Sequence, residues 1–96
     1  IIVSGFKVYP NEVEDVLVRH DKILECGVVG SVSEETGEKV IAYIVGVADL
    51  PTKQEVIEHC QKYLAHYKVP RQIEFVAEMP KTPVGKVLRR KLRKAA

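Results

Sequence analysis

The sequence is short of cysteine and of long apolar segments, and each shortage excludes a class of protein. The longest apolar run, residues 40–48, is too short for a helix that crosses a membrane. Two cysteines, Cys26 and Cys60, are fewer than a disulfide scaffold of this length carries, so we expect two reduced, buried thiols. Neither cysteine belongs to a Cys-x-x-Cys pair or to a recognised zinc spacing, and the sequence therefore predicts no metal site.

The chain also lacks an initiator methionine and a visible secretory signal. It begins with Ile1 and contains 96 residues, which is enough for one domain with a modest core. From these features we expect a single domain that belongs to a longer protein, and a cytoplasmic location for that protein.

Acidic residues are missing from the end of the chain. Residues 81–94 hold seven of the 15 Lys and Arg residues and no acid, whereas residues 1–80 hold eight basic residues against all 13 acidic ones. Such a basic tail favours an anionic partner or a solvated helix face. Because no aromatic residues are interleaved with it, a nucleic-acid or membrane-binding module is the weaker interpretation, and we expect no nucleic-acid partner.

The residues that are present favour an α+β fold. β-prone residues on both sides of Ser4 and Gly5 predict an N-terminal hairpin, and a proline followed by acids predicts a helix over residues 10–20. Residues 23–32 and 39–47 are rich in β-branched side chains and flank a polar turn. They are therefore predicted to pair as antiparallel strands.

The second half of the chain adds two more helices and a strand. Thr52 and Glu55 form a capping box that opens a helix, which ends at the segment before Pro70. A strand over residues 72–76 and a helix over residues 86–94 follow. The whole pattern predicts a small, mostly antiparallel sheet packed with about three helices and preceded by the short hairpin.

Residues 80–86, PKTPVGK, carry the first candidate for chemistry. Lys86 follows Gly85 and begins the last predicted helix, where backbone N–H groups attract anions. The two prolines limit the entropy that the loop loses when it docks. This arrangement suits a lysine that enters another domain's site to meet a phosphate or a carboxylate. The plainer interpretation is an exposed lysine at a helix start.

A second candidate is the segment Ser4-Gly5-Phe6-Lys7. Its glycine stands between a small polar residue and an aromatic-basic pair, which lets a thread-like ligand pass close to the backbone. An ordinary turn glycine is the alternative, and the residues alone favour it.

Three segments resemble the C-terminal domain of the adenylate-forming superfamily, which includes acyl-CoA synthetases, luciferases and peptide-synthetase adenylation domains. They read SGFKVYPNEVE at residues 4–14, LAHYKVP at residues 64–70 and PKTPVGKVLRRKL at residues 80–92. They follow the family's order over essentially the whole chain. The segments look most like medium- and long-chain fatty acyl-CoA ligases. The lid of an aryl-CoA ligase or of a peptide-synthetase adenylation domain is the alternative.

The resemblance implies that residues 1–96 form the C-terminal lid of a two-domain ligase, inactive alone, whose large N-terminal domain binds ATP and a carboxylic acid. That ligase would form acyl-AMP and pyrophosphate, with Mg²⁺ at the ATP, and would then transfer the acyl group to coenzyme A. The lid rotates between the two half-reactions. Peripheral contact of the parent with a membrane is left open.

The resemblance also implies roles for particular residues. Lys86 corresponds to the adenylation lysine, which bridges the carboxylate and the phosphate oxygens. Gly5 corresponds to the glycine that lines the pantetheine tunnel when the thioester forms. The neighbours implied at the two sites are Thr82 and Gly85 beside Lys86, and Ser4, Phe6 and Lys7 beside Gly5.

Overall fold

The structure, a computed structural model, describes the backbone of residues 1–95 and the side chains of residues 1–93. Its strands are β1 (Ile2–Val3), β2 (Phe6–Lys7), β3 (Ile23–Ser33), β4 (Gly37–Gly46) and β5 (Gln72–Phe75). Its helices are α1 (Pro10–Leu17), α2 (Lys53–Tyr63) and α3 (Arg89–Ala95), with a 3-10 turn at His66–Lys68. The predicted α+β fold is confirmed. Within the described residues, no helix is long and apolar enough to span a membrane.

Strand β4 is the centre of a five-stranded sheet. It pairs antiparallel with β3 along nearly its whole length, down to the turn where Ser33 lies opposite Gly37. On its other edge β4 pairs antiparallel with β1 at Val3 and parallel with β5, where Ile41 lies opposite Gln72. The sheet is therefore mostly antiparallel, as the sequence predicts.

The two faces of the sheet carry two separate apolar clusters, because successive side chains on a strand point to opposite faces. On β4, Ala42 and Ile44 belong to the larger cluster, which packs under α1 and α2. Ile41 and Tyr43 belong to the smaller cluster, which packs under α3 and the segment before it. The buried members of this smaller cluster are Val29, Ile41, Tyr43, Met79 and Leu92.

Gly27, one of two glycines in β3, permits the close packing of α3. A Cβ added at Gly27 would overlap the side chain of Leu92 and would press on that of Val87 at 3.2 Å. Sequence analysis gives no reason for a glycine inside a strand at this point. The structure supplies the reason, since a side chain of α3 (Leu92) and one from the segment before it (Val87) lie directly on the β3 backbone.

Both cysteines are free and buried, as the sequence predicts. Burial raises the pKa of Cys26 to about 12 and that of Cys60 to about 11, and the nearby Glu14 carboxylate contributes to the increase at Cys26. Both groups are therefore protonated thiols at neutral pH and serve as apolar core residues.

Two helix ends differ from the sequence prediction. Helix α1 ends at Leu17 rather than at residue 20. The N–H groups of Arg19 and His20 donate to carbonyls three residues earlier, in a tighter turn that precedes β3. Helix α2 is opened by the predicted cap, with the Thr52 hydroxyl accepting from the Glu55 N–H at 3.1 Å. It ends at Tyr63, before the 3-10 turn.

Candidate active-site turns

Residues 81–87, called here the Lys86 loop, form a closed hairpin. Lys81 and Val87 pair across its base as an isolated antiparallel bridge. Thr82 fixes the interior: its N–H donates to the Lys86 carbonyl at 2.8 Å, and its carbonyl accepts from the Gly85 N–H at 2.9 Å. Its hydroxyl oxygen accepts from the Lys86 N–H at 3.1 Å. The loop is therefore held in one shape by its own threonine.

The prediction that Lys86 begins the last helix is wrong. Helix α3 begins at Arg89, because the Lys86 N–H is bound by the Thr82 hydroxyl and the Leu88 N–H donates to the Pro80 carbonyl at 2.8 Å. The attraction of anions to helix N–H groups therefore does not apply at this lysine. The feature of Lys86 that still suits an anionic ligand is its ammonium charge, carried on a loop that hydrogen bonds hold in shape.

The Lys86 side chain is exposed, and it forms no ion pair with the side chains that the structure describes. Gly85 before it has a left-handed φ of 86°, and an added Cβ would meet no atom within 4 Å. Val84 at the tip is 80% exposed. The loop thus presents an exposed ammonium and a small apolar tip to a docking partner.

Ion pairs attach the Lys86 loop and the residue two positions after it to β3 and to α1. Lys81 pairs with Glu25 at one end. At the other end Arg89 pairs with Glu14 of α1 through two of its nitrogens, and it also donates to the Asn11 side chain. The hydrogen bond with Glu14 raises the pKa of Arg89 above its ordinary value.

Sequence analysis missed the partnership of Arg89 and Glu14. Glu14 is an acid near the start of a helix, and Arg89 is one of several basic residues in the tail, so each has a plain local explanation. They are 75 positions apart, and no local pattern joins them. Lys94 of the same tail lies outside the described side chains.

The predicted N-terminal hairpin is confirmed. Strands β1 and β2 pair with Ile2 opposite Lys7 and Val3 opposite Phe6. Gly5 in the turn has a left-handed φ of 85°, and its neighbour Ser4 also has a positive φ of 50°. An added Cβ at Gly5 would meet no atom within 4 Å, so the backbone is open to a ligand on that side.

The middle signature, residues 64–70, lies against this hairpin. The rings of Phe6 and Tyr67 are 5.0 Å apart between centroids. Lys68 beside them pairs with Glu12 at 2.7 Å, and that hydrogen bond raises the pKa of Lys68. A cavity of about 150 Å³ opens between Ser4 and Tyr67. The first two signatures therefore form one continuous surface.

The two turns are attached to opposite faces of the sheet. Val3 and Val8, on either side of the hairpin turn, belong to the larger cluster under α1 and α2. Met79, just before the Lys86 loop, belongs to the smaller cluster under α3, and Val87, the last residue of the loop, packs against that cluster. The structure thus brings the predicted CoA residues together in one place, and the predicted adenylation residues in another.

A domain with this sheet and these two turns is one that known proteins share. Residues 12–86 match the family described as the AMP-binding enzyme C-terminal domain, and the chain belongs to that family. A long-chain-fatty-acid–CoA ligase of Yersinia pestis is 50% identical over 93 residues, which are 97% of this chain and 16% of that ligase.

Solved structures agree with the sequence comparison. A fatty acyl CoA synthetase of Mycobacterium tuberculosis matches with a TM-score of 0.94 and 35% identity over 99% of this chain. The anthranilate CoA ligase AuaEII, solved with anthranoyl-AMP, matches with a TM-score of 0.91 and 40% identity over 100% of it. The chain spans 19% of each of these two structures, so it corresponds to a small part of such enzymes.

Proposed function

We propose that this chain is the C-terminal lid of a cytoplasmic fatty acyl-CoA synthetase, and that Lys86 is its adenylation lysine. The parent enzyme would convert a fatty acid, ATP and coenzyme A into acyl-CoA, AMP and pyrophosphate. The observation that carries the proposal is the Lys86 loop, in which Thr82 fixes the backbone of Lys86, and the exposed ammonium of this lysine has no ionic partner among the described side chains. The match to the AMP-binding C-terminal family supports it.

Lys86 would help the first half-reaction by placing a positive charge where two anions meet. A carboxylate must approach the α-phosphate of ATP, and negative charge must be stabilised as phosphorus is attacked. A loop that is already fixed by hydrogen bonds loses little conformational entropy when it enters the site. We expect ATP, with Mg²⁺, and the carboxylic acid to bind to the large domain, which this chain does not include.

The hairpin would act in the second half-reaction. The open side of Gly5 leaves room for the narrow pantetheine arm of coenzyme A to pass along the backbone. Phe6 is 58% exposed despite its contact with Tyr67, so its ring offers an apolar wall. Ser4 and Lys7 are exposed on either side, and the Lys7 ammonium suits a nucleotide phosphate of coenzyme A.

An aryl-CoA ligase is the second candidate for the parent. The match to the anthranilate CoA ligase has 40% identity, against 35% for the fatty acyl CoA synthetase, over nearly the same share of this chain. The pocket that selects the carboxylic acid would lie in the large domain. The lid therefore supports ligase chemistry in the parent more strongly than it supports any one carboxylic acid as the substrate. A panel of fatty and aryl acids, assayed with the parent, separates the two candidates.

A free basic tail that binds nucleic acid or membrane fits the structure less well. Arg89 of the tail is engaged by Glu14, and Leu92 is buried at 5% exposure in the smaller cluster. These two residues therefore attach the tail to the fold. A module of that class would leave both of them free to contact its partner.

The test is Lys86→Ala in the full-length parent, with Lys53→Ala on the exposed start of α2 as a matched lysine control. Acid-dependent pyrophosphate release should fall roughly 10²- to 10³-fold, as it does when one stabilising donor is removed from an active site. Acyl transfer from synthetic acyl-AMP to coenzyme A should persist. If both reactions persist in Lys86→Ala, the proposed role of this lysine is wrong.

A further inference from the structure

The two ion pairs that flank the Lys86 loop differ in how well they are shielded from solvent. The Lys81–Glu25 pair is on the surface, with side chains 38% and 36% exposed. The Arg89–Glu14 pair is better shielded, with 35% of the arginine side chain and 16% of the glutamate side chain exposed. An ion pair with less solvent around it holds its geometry more firmly.

Glu14 uses both carboxylate oxygens to hold its neighbours. One oxygen accepts from Arg89 Nε at 2.9 Å and from the Val28 N–H of β3 at 2.9 Å. The other accepts from a terminal nitrogen of Arg89, which also donates to the Asn11 side chain. A guanidinium bound through two nitrogens is fixed in direction as well as in distance.

Only two residues separate Lys86 from Arg89. Of these, Leu88 is bound through its N–H to the Pro80 carbonyl, and Val87 pairs with Lys81 across the base of the loop. No freely turning segment lies between the ion pair and the lysine. A displacement of Arg89 is therefore transmitted to the backbone that carries Lys86.

We propose that the Arg89–Glu14 pair positions Lys86 for adenylation, with Arg89 acting through the lysine and touching no substrate itself. This inference rests on the proposed function. The pair joins helix α1, strand β3 and Arg89, the first residue of α3, at one point, so it fixes where the nearby backbone of Lys86 lies relative to the sheet. Misplacement of a reacting group by about 1 Å is enough to lower a rate on the order of 100-fold.

The experiment uses the full-length parent with Arg89→Gln, Arg89→Lys and Lys86→Ala. Arg89→Gln should lower the kcat of acid-dependent pyrophosphate release about 10- to 100-fold and leave the KM for ATP unchanged. Transfer from synthetic acyl-AMP to coenzyme A should stay within about 2-fold, which also shows that the lid is folded. Arg89→Lys, which keeps the charge, should recover part of the lost rate.

Two further variants separate positioning from stability. In the Lys86→Ala background, Arg89→Gln should cause no additional loss, because the lysine through which it acts is already gone. The double variant Glu14→Gln with Arg89→Gln removes the charge that Arg89→Gln leaves unpaired, and it should still adenylate slowly. Lys22→Gln is the control, since it breaks an exposed ion pair with Asp49 at 3.1 Å and should change neither half-reaction.

The inference is overturned if Arg89→Gln keeps adenylation within about 2-fold, lowers both half-reactions alike, or adds its full effect to that of Lys86→Ala. If Lys86→Ala itself keeps adenylation, the proposed function fails, and the inference fails with it. A loss in Lys86→Ala alone, without a loss in Arg89→Gln, ends the inference and leaves the proposed function standing.

Discussion

The hairpin at Gly5 and the loop at Gly85 each contain a glycine with a left-handed φ, but they differ in what supports them. Their glycines have φ values of 85° and 86°, and an added Cβ would meet open space at both. The hairpin stands on the larger cluster and on the ring of Tyr67. The Lys86 loop stands on the smaller cluster, on Thr82 and on ion pairs at its two ends.

The difference shows how one small domain can present two working surfaces. Because the sheet separates the two clusters, a change at one turn need not disturb the other. A hairpin that lines a passage for a ligand requires open backbone and an apolar wall. A loop that delivers a charge requires a fixed direction, which hydrogen bonds and ion pairs supply better than apolar contacts do.

The largest expected effect is on the smaller cluster, through Leu92→Ala. Leu92 is one of five buried residues there and lies over Gly27. Its truncation should lower the free energy of unfolding of this chain by about 3 kcal/mol, because a cavity forms where α3 meets the sheet. Urea denaturation followed by circular dichroism measures the change.

Val84→Ala is the control for that measurement. Val84 is 80% exposed at the loop tip, so its truncation should change the free energy of unfolding by less than about 0.5 kcal/mol. Equal losses in the two variants would show that α3 is not anchored by Leu92 and that the smaller cluster contributes little to the fold.

The next largest effect is expected from Gly5→Ala and Gly85→Ala, which test the two turns against each other. Each alanine must adopt a left-handed φ in open space, so each should lower the free energy of unfolding by about 1 kcal/mol, from strain rather than from a clash. The parent's half-reactions should separate them. Gly5→Ala should slow thioester formation, and Gly85→Ala should slow adenylation.

The same two half-reaction assays test whether the two turns act independently. A loss of both half-reactions in each variant would mean that the two turns are not independent surfaces. A loss of stability well above 1 kcal/mol in only one of them would mean that this turn supports the fold more than the other does.

The sequence predicts this molecule well where local chemistry decides the structure. The hairpin at Ser4 and Gly5 and the cap at Thr52 follow from turn and capping chemistry, and the structure contains both. The sequence fails where contacts outside the local pattern decide. The start of α3 depends on the Leu88 N–H, which donates to the Pro80 carbonyl, and the position of Arg89 depends on Glu14, which is 75 positions away.

The residues of the candidate site divide in the same way. The lysine, the glycines and the threonine are recognisable from the resemblance, because they lie close together within short segments. Their assignment to opposite faces of the sheet is not, since it follows from which cluster each segment joins. The roles of these residues stay predictions until the half-reactions are measured.

A smaller effect is expected from Thr82→Val, which removes a hydroxyl but keeps the backbone bonds of the loop. The Lys86 N–H then loses its acceptor, and the free energy of unfolding should fall by about 1 kcal/mol. Adenylation by the parent should slow several-fold because the loop is less fixed. Thr82→Ser, which keeps the hydroxyl, should restore most of the rate, and a failure to do so would contradict this role.

The smallest effect is expected from Phe6→Leu at the hairpin. The leucine keeps an apolar wall but loses the ring contact with Tyr67, which should lower the free energy of unfolding by about 0.5 to 1 kcal/mol. In the parent, the KM for coenzyme A should rise a few-fold while acid-dependent pyrophosphate release is unchanged. Tyr9→Leu is the control, because Tyr9 is 63% exposed and has no aromatic partner among the described side chains. If Phe6→Leu instead slowed pyrophosphate release, the hairpin would take part in both half-reactions, and the separation of the two surfaces would not hold.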